Sequence, residues 1–122
     1  MKVAVFGSYD WSDYMDLARN ITLLIQESHK VGHSNIVFVH GGKNGAENMV
    51  TEYIGKTEKF LRQKGFKIKE SLFRGRAKLQ DVHIIESGID YAIVFSTGDR
   101  RTISAKKLLE AYQVPFMIVE KA

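Results

Sequence analysis

The chain has no cysteine, a single proline and a single tryptophan. The missing cysteines exclude a disulfide scaffold, a thiolate nucleophile and a cysteine metal cluster together. One proline against ten glycines leaves little for rigid linkers and points to tight backbone approaches. No apolar run approaches the roughly 18 residues of a membrane span. Val3–Phe6 is too short for the core of a secretion leader. The expectation is therefore a cytoplasmic protein with no membrane partner. What remains is 122 residues, 44% hydrophobic and 26% charged, the size and balance of one globular domain over residues 1–122.

The formal net charge of +4 permits an anionic partner without demanding one. The charge is unevenly spread. Arg62, Lys64, Lys67, Lys69, Arg74, Arg76 and Lys78 face only Glu70 within the same stretch. Arg100, Arg101, Lys106 and Lys107 form a second basic group.

Short β-rich runs alternate with helical patterns. Lys2–Phe6, Asn35–His40, Phe66–Leu72, Asp90–Phe95 and Val114–Val119 read as strands, four of them nearly continuous in apolar residues. Tyr14, Leu17, Ala18, Ile21, Leu24 and Ile25 recur at helical spacing, with Ser12 as the N-cap and Gly32 past the end. Ala46, Met49, Val50, Tyr53, Thr57, Phe60 and Leu61 make a second stripe, interrupted by Gly55. Leu79, Val82 and Ile85 suggest a third helix; Ala105, Leu108, Leu109 and Tyr112 suggest a fourth. This alternation predicts an α/β fold of three layers, Rossmann-like, with a five-stranded parallel sheet in the order 3-2-1-4-5. The lysine-rich third strand belongs at an edge.

In such a sheet a ligand binds beyond the carboxyl ends of the strands, where the order reverses. Three loops meet there. The first holds Gly7, Ser8, Tyr9, Asp10 and Trp11; the second runs from His40 through Gly41, Gly42, Lys43 and Gly45 to Glu47; the third holds Ser96, Thr97, Gly98, Arg100 and Arg101. Glycines there let backbone amides approach an anion, and a helix start favours negative charge. A tight strand–helix turn also explains some of these glycines, and a helix cap explains Ser96 or Thr97 alone. Tyr9 or Trp11 could stack on a base, or Trp11 could pack beneath the first helix. Arg74, Arg76, Arg100 and Arg101 lie toward the same edge and suit bidentate phosphate contacts. His40 is the one histidine placed for chemistry; the four histidines make no metal site. Glu47 and Asp10 are the candidate catalytic carboxylates. The second loop matches neither G-x-x-x-x-G-K-[ST] nor G-x-G-x-x-G, which disfavours a P-loop enzyme and a dinucleotide hydride enzyme.

Two motifs, G-S-Y-D-W-S-D-Y at Gly7–Tyr14 and V-H-G-G-K-N-G-A-E at Val39–Glu47, resemble the small YspA/YpsA-related branch of the SLOG superfamily. That branch carries G-S-R-x-[WF] and H-G-G-A-x-G-A-D in these places. The ending A-I-V-F-S-T-G…A-Y-Q-V-P-F-M-I-V is similar too, so the resemblance spans the chain. It implies a Rossmann-like domain that binds a nucleotide or nucleotide-derived ligand, with Gly7, Ser8, Gly41, Gly42 and Gly45 around its phosphate, and that forms a homo-oligomer. Wider relatives include the Lonely Guy phosphoribohydrolases and the DprA/Smf proteins. Tyr9 replaces the branch's arginine, Glu47 its aspartate, and Asp81-Val82 stand near its usual Arg-Asn pair. The Lonely Guy signature P-G-G-x-G-T-x-x-E is absent.

The expectation is a small module that senses or sequesters a nucleotide signal, with no cofactor beyond that ligand. An N-glycosidase acting on a nucleoside monophosphate is the enzymatic alternative. A single-stranded nucleic-acid binder using the basic 62–78 stretch is the third, and less favoured.

Overall fold

The computed structural model describes residues 1–73 and 77–121. The elements are β1 (Lys2–Gly7), α1 (Tyr14–Lys30), β2 (Asn35–His40), α2 (Ala46–Gln63), β3 (Lys67–Leu72), α3 (Ala77–Glu86), β4 (Tyr91–Ser96), α4 (Arg100–Ala111) and β5 (Phe116–Glu120). All four strand pairings are parallel and the order is β3-β2-β1-β4-β5. The α/β fold and the strand order read from the sequence are thus the ones observed.

Strand alternation divides the core in two. Val3, Val5, Ile36, Phe38, Ile68, Ile93 and Phe95 face α1 and α2, which bury Leu17, Ile21, Ile25, Val50 and Tyr53 against them. Ala4, Phe6, Val39, Ala92 and Val94 face α3 and α4, which contribute Ile84, Ile85, Ala105 and Leu109. A strand with apolar residues at every position must be covered on both sides, and β1 and β4 are. Edge strand β3 buries only Ile68 and carries exposed Lys67 and Lys69, charges that discourage pairing with another chain.

Several local expectations need correction. The α1 cap is Asp13, not Ser12: its carboxylate accepts the Asp16 N–H at 3.0 Å. Helix α2 runs unbroken through Gly55, because packing outweighs the propensity cost of about 1 kcal/mol. Phe60 and Tyr112 are exposed rather than part of their stripes. In α3 the inward residues are Gln80, Ile84 and Ile85, while Leu79 lies outside. Strand β5 starts at Phe116, after Pro115, whose carbonyl accepts from Ala92 at 3.0 Å.

The end of β1 meets the start of α2 at very short range. A Cβ on Gly7 would lie 2.2 Å from the Ala46 Cβ, and one on Gly45, where φ is +82°, would lie 2.2 Å from the Ser8 carbonyl oxygen. Both glycines are therefore required by packing. Gly7→Ala is expected to destabilise the fold by about 1–3 kcal/mol in chemical denaturation. Gly55→Ala, at an open helical position with nothing within 4 Å, is expected to stabilise it by about 0.5–1 kcal/mol.

Candidate functional site

Helix α1 leaves β1 on one face of the sheet and α4 leaves β4 on the other, so their loops part and open a crevice between the two strand ends. An open cavity of about 570 Å³ lies there, lined by Tyr9, Lys43, Asp81, Asp99, Arg100, Arg101, Ser104 and Leu108. These residues come from the β1–α1 loop, the β2–α2 loop, α3, the β4–α4 loop and one face of α4 from Arg100 to Leu108.

Ser8 ties the loops beneath this cavity. Fully buried, it donates its N–H to the Phe95 carbonyl at 2.9 Å and its hydroxyl to Asp99 Oδ1 at 2.6 Å. Its hydroxyl accepts the Thr97 N–H at 2.9 Å, and its carbonyl accepts from Trp11 and Ala46. Thr97 donates its hydroxyl to Asp10 Oδ1 at 2.8 Å. Ser96 Oγ lies 2.6 Å from Thr102 Oγ1 and accepts the Gly98 N–H at 3.0 Å.

A buried ionic cluster forms the floor. Glu47 is 0% exposed. Its Oε1 accepts the Gly41 N–H at 2.8 Å, and its Oε2 lies 2.6 Å from Nη1 of Arg101. The Oε2 contact is an ion pair without the alignment of a hydrogen bond; Nη1 instead donates to the Gly7 carbonyl at 2.8 Å. Nη2 donates to Asp81 Oδ1 at 3.1 Å. One guanidinium thus joins α4, α2, α3 and the end of β1. Gln80, also buried, donates to the Phe73 carbonyl at 2.7 Å and packs where a Gly41 Cβ would stand. A Cβ at position 41 would require the Gln80 amide to move.

The loop glycines are expected to offer their amides to an anion, and here those donors are already engaged. Gly41 donates to Glu47, Gly42 to His40 Nδ1 at 2.9 Å, and Gly98 to Ser96. Gly7 and Gly45 serve close packing. The cavity wall is built instead from side chains: three cations, two aspartates and one aromatic ring. Tyr9, 53% exposed, has Arg101 Cζ 5.5 Å and Lys43 Nζ 6.0 Å from its ring centroid. Trp11 is the opposite case. It is 2% exposed and packs on Phe95 at 5.3 Å between centroids, so its ring is core and cannot stack on a ligand.

His40 is fully buried and turned to β3 rather than to the cavity. Its Nδ1 accepts from Gly42, which places the ring proton on Nε2, 2.7 Å from Glu70 Oε2. The same Glu70 oxygen accepts the Thr51 hydroxyl at 2.6 Å. With both nitrogens engaged, His40 holds the end of β2 in place. Glu47 likewise has both oxygens in contact with the protein. Arg74 and Arg76 lie outside the described residues.

Sequence reasoning passed over Asp81 and Asp99 as cavity residues. Asp99 is the N-cap residue of α4, a position legible from its place before the helical pattern. Asp81 gives no such signal, since α3 has almost no amphipathic periodicity. Among the described residues no cluster of histidine and carboxylate side chains is arranged to hold a metal ion, and no helix is long and apolar enough to cross a membrane.

The two aspartates titrate in opposite directions. Burial acts to raise Asp99, but hydrogen bonds from Ser8, Thr102 and nearby backbone outweigh it and bring its pKa below 3.8. Burial raises Asp81 above 3.8, and the Glu47 charge adds to this against Arg101 and Lys43. Stability from Asp99 is present above its unfolded pKa and lost as pH falls through the lower folded value. Asp81 works the other way: ionising it weakens the fold as pH rises from 3.8 toward its folded value. Carboxyl ¹³C titration by NMR is expected to place Asp99 below and Asp81 above the ordinary aspartate midpoint. Ser8→Ala is expected to move Asp99 upward by removing a donor to its charged form.

No protein-family model matches this chain, and no curated protein matches it either. The chemistry of the site rests on its own residues and distances.

Proposed function

We propose that the protein binds a nucleotide or nucleotide-derived small molecule in the cavity beyond β1 and β4, and that it belongs with the SLOG-type domains its loop motifs resemble. The observation that carries this reading is the cavity itself. It sits at the topological switch point, has room for a mononucleotide, and sets an exposed aromatic ring beside three cations. Tyr9 offers a face to a base. Lys43 and Arg100 make no salt bridge among the described residues and are the cations left to meet a phosphate.

Binding in this form is carried by side chains rather than by glycine amides. It suits a protein that senses or sequesters its ligand. The glycosidase alternative is less well supported, because Glu47 is buried with both oxygens engaged and Asp10 holds Thr97.

The four common nucleoside monophosphates, tested by thermal shift and titration calorimetry, decide the matter. At least one is expected to raise the melting temperature, by an amount set by about 2.7 kcal/mol at a hundredfold excess over Kd. Lys43→Ala and Arg100→Ala are each expected to weaken that nucleotide about tenfold, and Tyr9→Ala is expected to weaken nucleotide and nucleoside alike. No shift with any nucleotide would refute the reading. Release of free base would establish the enzymatic alternative. Affinity for a single strand that is lost on neutralising Lys67 and Lys69, with no mononucleotide binding, would favour the third.

A further inference from the structure

The ionic cluster holds one carboxylate more than its guanidinium can neutralise. Arg101 faces Glu47 at 2.6 Å and Asp81 at 3.1 Å, two acids against one base. The two acids are not equivalent. Glu47 is 0% exposed, receives the Gly41 N–H and lies behind the guanidinium, away from the cavity lining. Asp81 lies on the cavity wall with 14% of its side chain exposed, and its contact in this cluster is the single bond from Nη2. Arg101 is itself part of that wall.

We propose that Asp81 is the specificity-determining residue of this cavity: it occupies the place on Arg101 that a ligand's phosphate takes, so it grades ligands by the charge they bring to that place. The inference rests on the nucleotide-binding reading above and assigns the selectivity of the same site.

The physical argument is one of exchange. A guanidinium presents its donors in a fixed fork that fits a carboxylate and a phosphate equally in geometry. The Nη1 edge is held by Glu47 and the Gly7 carbonyl, so the Nη2 edge toward Asp81 is the exchangeable one. A neutral nucleoside cannot displace a carboxylate from a cation. A phosphomonoester, with its larger charge and several oxygens, can, and Lys43 and Arg100 on the same wall share that charge. The displaced Asp81 carboxylate then stands close to both Glu47 and the phosphate. Asp81 therefore opposes every anion that takes its place on Arg101.

Asp81→Asn tests this with the best-bound nucleoside monophosphate and its parent nucleoside. The amide keeps the size of the side chain and removes the competing charge. Calorimetry is expected to show the monophosphate binding about tenfold more tightly to the variant, with the nucleoside unchanged. Equal shifts for both ligands, no shift for the monophosphate, or a weaker monophosphate would each overturn the proposal; the last would make Asp81 a residue that positions Arg101 for the ligand. If the variant does not fold, the wild-type protein answers the same question. Its Arg101 guanidinium resonance is expected to move on adding the monophosphate and to stay on adding the nucleoside, and an unmoved resonance with bound monophosphate would overturn the proposal. Failure of the underlying reading looks different: no nucleoside monophosphate binds either protein, and the inference falls with it.

Discussion

A single buried ion pair organises this end of the molecule. Glu47 enters the interior at the first turn of α2, where a carboxylate suits the helix dipole, but a buried charge without a partner would cost several kcal/mol. Arg101 supplies the partner from α4, on the opposite side of the sheet, and the Gly41 amide supplies a second contact. The pair therefore fixes the distance between two helices that share no apolar interface. Close-packed glycines lie beside it. Arg101 reaches the Gly7 carbonyl, Gly7 must lie flat against Ala46, and Gly41 must make room for Gln80.

This constraint changes what glycine means in these loops. Three glycines in five residues after β2 are read in the sequence as an anion cradle, since missing side chains expose amides. In the folded chain protein atoms crowd Gly41 and Gly45, Gly42 takes a φ of +71°, and the amides of Gly41 and Gly42 are satisfied by Glu47 and His40. Both causes leave one signature in a sequence. Distances separate them. The cations at the cavity are instead borne by long side chains, those of Lys43, Arg100 and Arg101.

The legible and illegible parts divide on the same line. Strands β1, β2 and β4 are clear because burial on both faces demands unbroken apolar runs, and the edge position of β3 is clear from Lys67 and Lys69. From those, the crossover rule gives the strand order, and the strand order gives the location of the cavity. Helix α3 resists reading. Gln80 and Asp81 turn inward for polar reasons, so its apolar spacing points to Leu79, which is exposed. Trp11 in a polar loop is ambiguous from sequence, because an indole serves as core or as a stacking platform equally well. Its contact with Phe95 decides for core.

The cavity is assembled from opposite ends of the chain. Ser8 meets Asp99 across 91 positions, and Arg101 reaches Gly7 across 94. Such distant partners come together only after the intervening strands have docked, late in the formation of a parallel sheet. A well-formed cavity is thus a gauge of complete folding: a chain halted before α4 joins holds Gly7 and Glu47 but lacks the guanidinium that bridges them.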